Sequence, residues 1–379
     1  MSKFIKLGDA CLVKRGTTIT RKDTIEGKVP VVAGGRKATY YHNIHNRESD
    51  TITISGSGAS AGFINYWSVP IFASDCSTVE LKDNAQNIKF IYYFLQSVQE
   101  FIYKDLRFGA AQPHVYAKDI ANLSYPVFSL KDQNNIVNKI DNIFIEIEKI
   151  KELEKIKIRK NISMAQIYLD NIFNSKNNLL KLSQCCKIRP SKSEINKLDN
   201  KTEVSFLPMR DMSINNILVV PSQKRLLKDV KGGYTFFSDG DVLLAKITPC
   251  FENGKLGIVS NLCNGIGFGS SEYIVFRPNN NLNNKWLYYF LNRNSFRVNG
   301  AKNMSGAVGH KRIDKSFIEN TLIPIPTIKE QELIISKLES LFNHSKIINE
   351  TIIKKMNEID YLKKSILTKF LNININLAA

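Results

Sequence analysis

The hexapeptide FIYYFL at residues 90–95 returns as WLYYFL at residues 286–291, 196 positions further along the chain. A second pair follows: PVFSLKDQ at residues 126–133 returns as PIPTIKEQ at residues 324–331, with an offset of 198. A period of this length is not that of a solenoid, whose repeats run to about 20–50 residues. The chain therefore carries a whole domain and a long helix twice, which predicts approximate two-fold symmetry and a target with two halves.

His114 returns as His310 at the first of these offsets, so we assign the two extra residues of the second copy to the stretch after its histidine. A catalytic histidine requires a nucleophile or a carboxylate beside it, and neither recurs next to these two residues. A structural histidine is the simpler interpretation of both, and a contact with DNA is the alternative.

The chain is strongly basic, with 53 Lys and Arg against 35 Asp and Glu, a net charge of +18 and a pI near 9.5. The excess is concentrated in residues 177–328, which carry +10, whereas residues 1–130 carry +4 and residues 131–176 and 329–379 carry +2 each. This balance favours a polyanionic partner, most often nucleic acid. A generically basic protein from a Lys-rich proteome is the alternative.

The length of 379 residues accommodates two globular domains of ordinary size. The six cysteines form no CxxC pair and no zinc spacing, and we find no secretory signal, so we expect reduced thiols in a cytoplasm. No apolar run approaches the roughly 20 residues that span a bilayer, so we expect no membrane contact. We expect residues 374–379 to be a frayed tail.

Residues 1–130 have the pattern of a mixed α/β domain. Residues 51–54 and 78–81 alternate like strands, and residues 88–104 form an amphipathic, aromatic stretch that predicts a helix before the break at residues 109–113. The pattern returns within residues 177–328, where residues 242–245 and 273–276 match the two strands. The front half of this segment is more irregular than that of the first.

Two segments predict long helices with a heptad pattern, residues 131–176 and 329–373. The first seam steps by four and three, slips near Glu154 and resumes: Ile136, Ile140, Ile143, Ile147, Ile150, then Ile158, Ile162, Ala165, Leu169 and Ile172. The second is more regular: Ile334, Leu338, Leu341, Ser345, Ile348, Ile352, Lys355, Ile359, Leu362 and Ile366. The polar members, such as Ser345 and Lys355, are of the kind that fixes register.

Each predicted helix has about 40 residues and a length of about 60 Å at 1.5 Å per residue. Neither seam can be buried by its own helix, so we expect the two helices to pair, and antiparallel pairing places the two domains at opposite ends. Packing of each helix on its own domain is the alternative, although a helix of this length overruns a domain of ordinary size.

The sequence contains few of the motifs that indicate catalysis. The loop GSGASAG at residues 56–62 follows a strand and is similar to a dinucleotide loop, but the next residues are strand-like, whereas that motif requires a helix whose N-terminus holds the pyrophosphate. A turn whose backbone approaches a ligand or a DNA phosphate suits these glycines better. The sequence contains no GxxxxGK[ST], no HExxH and no tetrapeptide typical of adenine methyltransferases.

Loop residues suit a nucleic-acid partner better. Arg and Lys can read guanine and Asn and Gln can read adenine in the major groove, whereas lysines more often hold phosphates. In the first domain the candidate DNA contacts are Arg36, Lys37, Tyr40, Ser57, Ser60, Gln112 and His114. In the second domain they are Lys246, Lys255, Asn303, Ser305, His310, Lys311 and Arg312. Any one of them is more simply a solvated loop residue, so the clusters carry the hypothesis.

These features together resemble the specificity subunit of type I restriction–modification systems, over nearly the whole chain. The resemblance is carried by the order domain–helix–domain–helix and by short motifs: LGD at 7–9, SGSGASAG at 55–62, ASDCS at 73–77, and DQ at 132–133 and EQ at 330–331 before the heptads. The second copy departs from this pattern, since LSQ at 182–184 replaces LGD and residues 246–257 replace the small-residue turn. We therefore expect the two domains to prefer different sequences.

The resemblance implies an α+β fold with two mixed α/β target-recognition domains, residues 1–130 and 177–328. They would be separated by two long antiparallel coiled-coil helices, the spacer helices 131–176 and 329–373, in a pseudo-two-fold internal repeat. Each domain would recognise one half of a split site in double-stranded DNA, and the paired helices would set the gap between the halves.

The helices would also dock two methyltransferase subunits and, through them, restriction–translocase subunits. The seam residues Ile136, Ile140, Ile143, Ile147, Ile334, Leu338, Leu341, Ile348 and Ile352 are candidates for this contact. The chain itself would be non-catalytic and hold no cofactor or metal; S-adenosylmethionine, ATP and magnesium would belong to the partners. The alternatives are a self-contained nuclease or methyltransferase, which the missing signatures disfavour, and a coiled-coil scaffold that binds only protein.

Overall fold

The computed structural model describes most of the chain: residues 4–38, 40–109, 111–174, 178–214, 216–307 and 309–371. The chain divides into two compact units, residues 1–155 with 352–379, and residues 156–351. Each unit combines one globular domain with a part of both long helices. The predicted tail at residues 374–379 lies outside the described residues.

The first unit opens with a mixture of short strands and helices. Its strands are β1 Phe4–Lys6, β2 Cys11–Arg15, β3 Val29–Val32, β4 Tyr40–His42, β5 Thr51–Ser55, β6 Ile64–Trp67, β7 Phe72–Ala73, β8 Cys76–Leu81 and β9 Ser124–Pro126. Its helices are α1 Leu7–Ala10, α2 Ile88–Ser97, α3 Gln99–Asp105, α4 Ala117–Ala121 and the first part of the long helix α5 Leu130–Ile172.

The second unit repeats this order with additional strands. Its strands are β10 Leu179–Lys181, β11 Cys186–Ile188, β12 Glu203–Leu207, β13 Leu218–Val219, β14 Gln223–Leu226, β15 Thr235–Ser238, β16 Val242–Ala245, β17 Leu256–Val259, β18 Ile266–Gly269, β19 Tyr273–Pro278, β20 Met304–Ser305, β21 Arg312–Ile313 and β22 Leu322–Pro324. Its helices are α6 Leu182–Cys185, α7 Leu227–Val230, α8 Asn284–Leu291, α9 Asn294–Lys302, α10 Lys315–Asn320 and the first part of the long helix α11 Ile328–Leu371.

The same arrangement of a central sheet, an antiparallel ribbon and a smaller sheet occurs in both units and is called the frame here. The central sheet has the order β2-β8-β5-β6 in the first unit and β11-β19-β16-β17 in the second, where β13 extends it. An antiparallel ribbon, β1 with β9 or β10 with β22, ties the start of each domain to the segment that enters a long helix. A smaller sheet completes each unit, β4-β3-β7 or β14-β12-β18-β15. The predicted duplication and mixed α/β fold are therefore confirmed.

The four strands predicted from alternation are β5, β8, β16 and β19. The predicted helix at residues 88–104 is two helices, α2 and α3, divided at Val98. The LSQ turn at 182–184 forms the same short helix as LGD at 7–9: the side chains of Asp9 and Gln184 each accept a hydrogen bond from the backbone N–H three residues earlier, at 3.3 and 2.9 Å. This departure from the motif leaves the local structure unchanged.

The aromatic hexapeptides form α2 and α8 and supply much of each core. Phe90, Phe94 and Trp286 are almost fully buried. Phe94 packs edge-on against a neighbouring ring, with centroids 5.2 Å apart, and Trp286 lies 4.4 Å from Phe173. Aromatic burial of this extent dominates the hydrophobic stabilisation of a domain. The repeat noticed first in the sequence is thus the helix on which each core is assembled.

A buried glutamine joins each long helix to its domain. Gln133 is fully buried; its Oε1 accepts the backbone N–H of Asn87 (2.8 Å), and its Nε2 donates to Phe128 O (3.0 Å). Gln331 is also fully buried and accepts the backbone N–H of Asn283 (2.8 Å). Asn87 and Asn283 are the N-caps of α2 and α8, so each glutamine connects two helix starts.

Both long helices begin with a side-chain cap. Ser129 accepts the N–H of Asp132 (3.2 Å) in the first, and Thr327 accepts the N–H of Glu330 (3.3 Å) in the second, where Glu330 also accepts the Thr327 N–H (2.9 Å). These contacts satisfy backbone donors that a helix leaves unpaired in its first turn. The two predicted helices are thus confirmed: both begin one residue earlier than predicted, α5 ends at Ile172, and α11 is described as far as Leu371.

As far as Ala165 in α5 and Lys363 in α11, the helix residues that turn inward form a continuous heptad series, called the core row here. In α5 these buried or half-buried residues are Val137, Ile140, Phe144, Ile147, Lys151, Glu154, Ile158, Asn161 and Ala165. In α11 they are Ile335, Leu338, Phe342, Ser345, Asn349, Ile352, Met356, Ile359 and Lys363, each 198 positions later. The predicted slip near Glu154 is wrong, because the spacing of four and three continues through that residue.

The helices run antiparallel. In the first unit, Glu148 pairs with Lys363, and Lys151 pairs with Asp360 at 2.7 Å, so one residue number falls as the other rises. In the second unit, Asn161 donates to Ser345 O and to Asn349 Oδ1, both at 2.9 Å, while Leu169 shares a core cluster with Leu338. The predicted antiparallel pairing is confirmed within each unit.

Half of the predicted seam is not core. The residue before each alternate core position belongs to a second series, called the flanking row here, which is apolar except for one lysine in each helix: Ile136, Ile143, Ile150, Lys157 and Met164 in α5, and Ile334, Leu341, Ile348, Lys355 and Leu362 in α11. Ile150, Ile348 and Leu362 are about half exposed, as is Ile162. Their assignment to the seam is wrong, because apolar residues occupy three positions in each heptad and the sequence pattern could not tell which two face inward.

We predict that two substitutions, which the sequence pattern alone treats as equivalent, change the free energy of unfolding by very different amounts. Leu338→Asp places a charge at a fully buried core position and should lower the free energy of unfolding by at least about 3 kcal/mol. Ile348→Asp, at a side chain that is 48% exposed, should change it by no more than about 0.5 kcal/mol. Urea unfolding of both variants checks this. Equal destabilisation would contradict the division into core and flanking rows.

Candidate nucleic-acid interface

A loop cluster forms in the first unit where the central strand β5 ends. The Gly56 N–H donates to Asp75 O (3.1 Å), and Gly56 O accepts the N–H of Val115 (3.0 Å). One turn further, the Gly58 N–H donates to Pro113 O (2.9 Å). These bonds bring three separate segments together: the glycine-rich turn, the ASDCS motif and the hairpin after α3.

The second unit makes the same bonds with different residues. After β16, the Lys246 N–H donates to Glu272 O (2.9 Å), and Lys246 O accepts the N–H of Ile313 (2.9 Å). The Thr248 N–H donates to Lys311 O (2.9 Å). Lys246 therefore takes the place of Gly56, and Glu272 takes that of Asp75. The backbone scaffold is shared while the side chains presented by it differ.

Matching these bonds pairs His114 with Arg312. Ser57 forms an isolated β-bridge with His114, and Ile247 forms the equivalent bridge with Arg312. The offset between the copies has therefore reached 198 at this point, and the two extra residues lie before Lys311 and not between the histidine and the proline. The prediction that His114 and His310 are equivalent is wrong, since the backbone register and the residue type disagree here.

In the first unit three of the predicted contacts, Arg36, Ser57 and His114, lie around the end of β5. A Cβ on Gly34 would lie 2.9 Å from Ser57 O, so glycine permits the close approach of the two loops. Asn65 Nδ2 donates to Arg36 O (2.9 Å), which holds Arg36 beside this turn with its guanidinium 5.0 Å from the ring centroid of Phe63. The Ser57 hydroxyl donates to the Asp75 carboxylate. Arg36 is exposed, whereas Ser57 is half-buried.

An aromatic surface stack lies on the hairpin and was missed in the sequence. Phe108 and Tyr116 are 49% and 48% exposed, with ring centroids 6.1 Å apart, and His114 stacks on Tyr116 at 6.4 Å. Lys118 Nζ lies 5.8 Å from the centroid of Tyr116. Exposed rings next to a cation are a surface that nucleic-acid bases and sugars can contact. The run of aromatic residues around His114 was the available signal.

In the second unit Arg312, Glu272 and Lys246 form a charged cluster. Arg312 donates from Nε and Nη2 to the two carboxylate oxygens of Glu272, at 3.0 and 2.8 Å. The Lys246 Nζ lies 3.9 Å from the same carboxylate. The hydrogen bond from Arg312 lowers the pKa of the Glu272 carboxyl, whereas desolvation lowers the pKa of the Lys246 ammonium. The arginine is therefore held by an ionised partner.

Some predicted contacts donate side-chain hydrogen bonds within the protein, although Asn303 is itself exposed. Four of them donate to backbone carbonyls: Tyr40 Oη to Ile19 O (2.8 Å), Lys246 Nζ to Ser271 O (2.8 Å), Lys255 Nζ to Met209 O (2.6 Å) and Asn303 Nδ2 to Asn299 O (2.8 Å). The other candidates lie on the loop surface: Arg36, Lys37, Gln112, Ser305, His310, Lys311 and Arg312 are exposed, and Ser57, Ser60 and His114 are half-buried. Their contact with DNA stays a prediction.

Part of the basic excess lies elsewhere in the second unit. Lys224, Arg225 and Lys228 are exposed on and after β14, and the Arg225 guanidinium sits 3.6 Å from the centroid of Phe206. Stacking of this kind holds an arginine in place while leaving its donors free. The high charge of residues 177–328 indicated such a surface, but not these residues.

Cofactor chemistry finds no support in the described residues. Within the described ranges, no group of three or more His, Cys, Asp or Glu side chains is arranged to hold a metal ion. The glycine-rich turn contains a single 3₁₀ turn, Gly58–Ser60, and leads into β6, so it does not have the geometry of a dinucleotide loop. No helix in this part of the chain is both long and apolar enough to cross a membrane.

The duplicated scaffold matches a known family. The family model for the type I restriction modification DNA specificity domain matches residues 2–158 and again residues 174–358. The chain belongs to this family. Its members are DNA specificity domains, a non-catalytic class, and the two matches coincide with the two copies of the frame. The resemblance noted in the sequence is thereby confirmed.

Curated relatives carry the same designation. The EcoAI specificity subunit of a type I restriction enzyme from Escherichia coli is 40% identical over 163 residues, 43% of this chain and 27% of the relative. The MjaVIII specificity subunit from Methanocaldococcus jannaschii is 22% identical over 366 residues, 90% of this chain and 83% of the relative. The match to EcoAI, like that to the EcoEI subunit, spans only 27% of the relative's length.

Two solved structures share the fold over nearly the whole chain. A chain from a type I R-M system, studied for complex assembly and conformational transition, superimposes with a TM-score of 0.68 at 16% identity, with 97% of each chain covered. The HsdS subunit from Thermoanaerobacter tengcongensis gives 0.53 at 16% identity, covering 98% of this chain and 97% of that one. The family's fold is therefore retained although most residues differ.

We predict that acid weakens the Arg312–Glu272 cluster. Because the folded-state pKa of Glu272 is lowered, its pair contributes stability above the ordinary value of 4.5 and loses it as the pH falls through the lowered folded value. The melting temperature of Glu272→Gln should therefore lie below that of the wild type near neutral pH, and the difference should shrink below about pH 4.5.

Glu203→Gln is the matched control, because Glu203 and Lys224 are both mostly exposed and 4.0 Å apart. Its melting temperature should follow that of the wild type throughout. A pH-independent difference for Glu272→Gln would show that its effect comes from packing and not from the charge.

Proposed function

We propose that this chain is the DNA-recognition subunit of a type I restriction–modification complex. It recognises a bipartite site in double-stranded DNA and directs partner adenine methyltransferase and restriction subunits to that site. The observation that carries the proposal is the pair of loop clusters at residues 56–62 and 246–257. Equivalent backbone hydrogen bonds hold both clusters, but the clusters present different side chains. One frame with two different reading surfaces suits a target with two unlike halves.

The charge distribution supports DNA as the ligand. The two globular segments carry +4 and +10 of the net charge, and exposed cations lie on the loop clusters and on β14. Contacts of such cations with phosphates release condensed counterions, so affinity should depend on salt. A scaffold that binds only protein would have no need of this excess.

The flanking rows support partner docking. By the register of the Glu148–Lys363 ion pair, Ile150 and Leu362 lie at the same level of the first unit's helix pair, and both are about half exposed. The second unit presents Met164, which is 69% exposed, and Ile348 in the same manner. Apolar side chains exposed at equivalent places of both units favour two copies of one partner. We assign these surfaces to two methyltransferase subunits.

The continuous helices support a role as a spacer. Leu130–Ile172 and Ile328–Leu371 have 43 and 44 residues, which correspond to about 65 Å each at 1.5 Å per residue. That length exceeds one turn of B-DNA, about 34–36 Å. In this proposal the helices set the gap between half-sites, while S-adenosylmethionine, ATP and magnesium act on the partner subunits.

Exchange of the second domain tests the function. Residues 177–328 are replaced by the corresponding segment of a relative with a different specificity, and the methylated motif is determined by sequencing DNA from cells that carry the hybrid. One half of the motif should change, while the other half and the gap stay the same. Replacement of residues 4–126 is the matched control and should change the opposite half. Simultaneous change of both halves would contradict recognition of independent half-sites.

Substitutions in the flanking rows test the proposed docking of the methyltransferase subunits. The double variant Ile150→Asp, Ile348→Asp places one charge on each unit's flanking row, so it should abolish co-purification of the methyltransferase subunit. Its unfolding midpoint should remain close to that of the wild type, because both side chains are about half exposed. Leu333→Asp, at a somewhat more exposed position on another face of α11, should retain the partner. Partner binding by the double variant would place the docking surface elsewhere.

A further inference from the structure

The backbone of Arg312 is fixed within β21, although its side chain is half exposed. It lies on β21, whose next residue, Ile313, is buried in the core of the second unit. Successive side chains of a strand point to opposite sides, so Arg312 is directed outward, and its side chain is 50% exposed. Its backbone is fixed further by the bridge to Ile247.

Glu272 occupies one edge of the guanidinium and leaves another open. Its two oxygens accept from Arg312 Nε and Nη2, at 3.0 and 2.8 Å, while Nη1 makes only a long contact of 3.4 Å with His310 O. Nη1 and Nη2 carry four N–H groups, of which these bonds use two, so one N–H group on each nitrogen remains available on a side chain that is 50% exposed. This is the donor pair that matches guanine O6 and N7 in the major groove.

Glu272 is itself positioned. Its side chain is only 22% exposed, its backbone N–H donates to Ser270 Oγ (3.2 Å), and its carbonyl accepts the Lys246 N–H (2.9 Å). The Lys246 ammonium, anchored to Ser271 O, adds a second positive charge 3.9 Å from the carboxylate. A carboxylate held in this way orients an arginine before any ligand arrives, which reduces the entropy lost on binding.

The equivalent position of the first unit lacks this arrangement. There His114 replaces Arg312, and Asp75, which takes the place of Glu272, receives its hydrogen bond from Ser57. The contrast shows that the frame does not require an arginine–carboxylate pair for its own stability. The pair in the second unit therefore calls for a functional explanation.

We propose that Arg312 reads a guanine in the half-site bound by the second domain, with Glu272 as its positioning residue. The inference rests on the proposed function and adds to it one residue, one base and the geometry that joins them. The exposed neighbours Lys311 and His310 then lie beside the DNA backbone, where a lysine contributes affinity without sequence preference.

The test uses the full chain in complex with its methyltransferase partner and a pool of random-sequence DNA duplexes. Bound duplexes are sequenced for the wild type and for Arg312→Ala, Arg312→Lys, Glu272→Gln and Lys311→Ala. Arg312→Ala should reduce the preference for guanine at one position of one half-site by about 10- to 100-fold. Arg312→Lys should not restore it, because an ammonium cannot present two parallel donors.

The remaining variants separate positioning from phosphate contact. Glu272→Gln should lose part of the preference at the same position and no other. Lys311→Ala should weaken retention of all sequences alike and flatten the salt dependence by about one phosphate contact. Arg312→Ala and Glu272→Gln lose the stability of their ion pair but should stay fully folded at the assay temperature, and an unchanged far-UV circular dichroism spectrum at that temperature would exclude misfolding as the cause.

Two failures are distinguishable. If the wild-type complex selects no motif from the pool, the proposed function fails and the inference fails with it. If the wild type selects a split motif and Arg312→Ala selects the same motif with undiminished discrimination, only the role of Arg312 is overturned. Loss of preference at an A·T pair, or at every position equally, also overturns it.

Discussion

The structure depends on one buried side-chain amide in each unit. Gln133 and Gln331 are fully buried, and both ends of each amide are paired. Leaving any of these buried groups unpaired would cost about 1–3 kcal/mol, so the start of each long helix is confined to the N-cap of α2 or α8. This confinement fixes the direction in which a helix leaves its domain. Within each unit, this fixes the positions of the central sheet, the aromatic helix and the long helix relative to one another.

A frame tied together in this way can tolerate different loops. The bonds that hold the loop clusters are made by backbone groups, such as the N–H of Gly56 or Lys246, and therefore place no demand on the side chains. The first unit uses this freedom for small residues and an aromatic stack, the second for a charged cluster around Glu272. Specificity can change by substitution on such a scaffold without a change of fold, which is consistent with family members that retain the fold at 16% identity.

The sequence was informative wherever a pattern reports burial directly. The duplicated aromatic helices, the strands with alternating or apolar runs and the two long helices all follow from residue periodicity. It was uninformative where two apolar series compete, since Ile348 and Leu338 look alike until the partner helix is in place. It was misleading at His310, where residue type suggested a register that the backbone does not adopt. Lys246 and Lys255 could not be recognised as inward-facing, because their acceptors lie on segments remote in sequence.

The middle of the helix pair is polar, and this has a consequence for a spacer. Lys151, Asn161 and Asn349 occupy core positions that apolar residues would fill more stably, and each pairs with a specific side chain. A slip of one heptad, about 10 Å along the axis, would keep every core row aligned but would separate these partners and leave buried polar groups unpaired. The pair thus gives up some stability for a single register. In the proposed function the helices set the gap between the half-sites, and a slip of one heptad would change that gap by about three base pairs at 3.4 Å each.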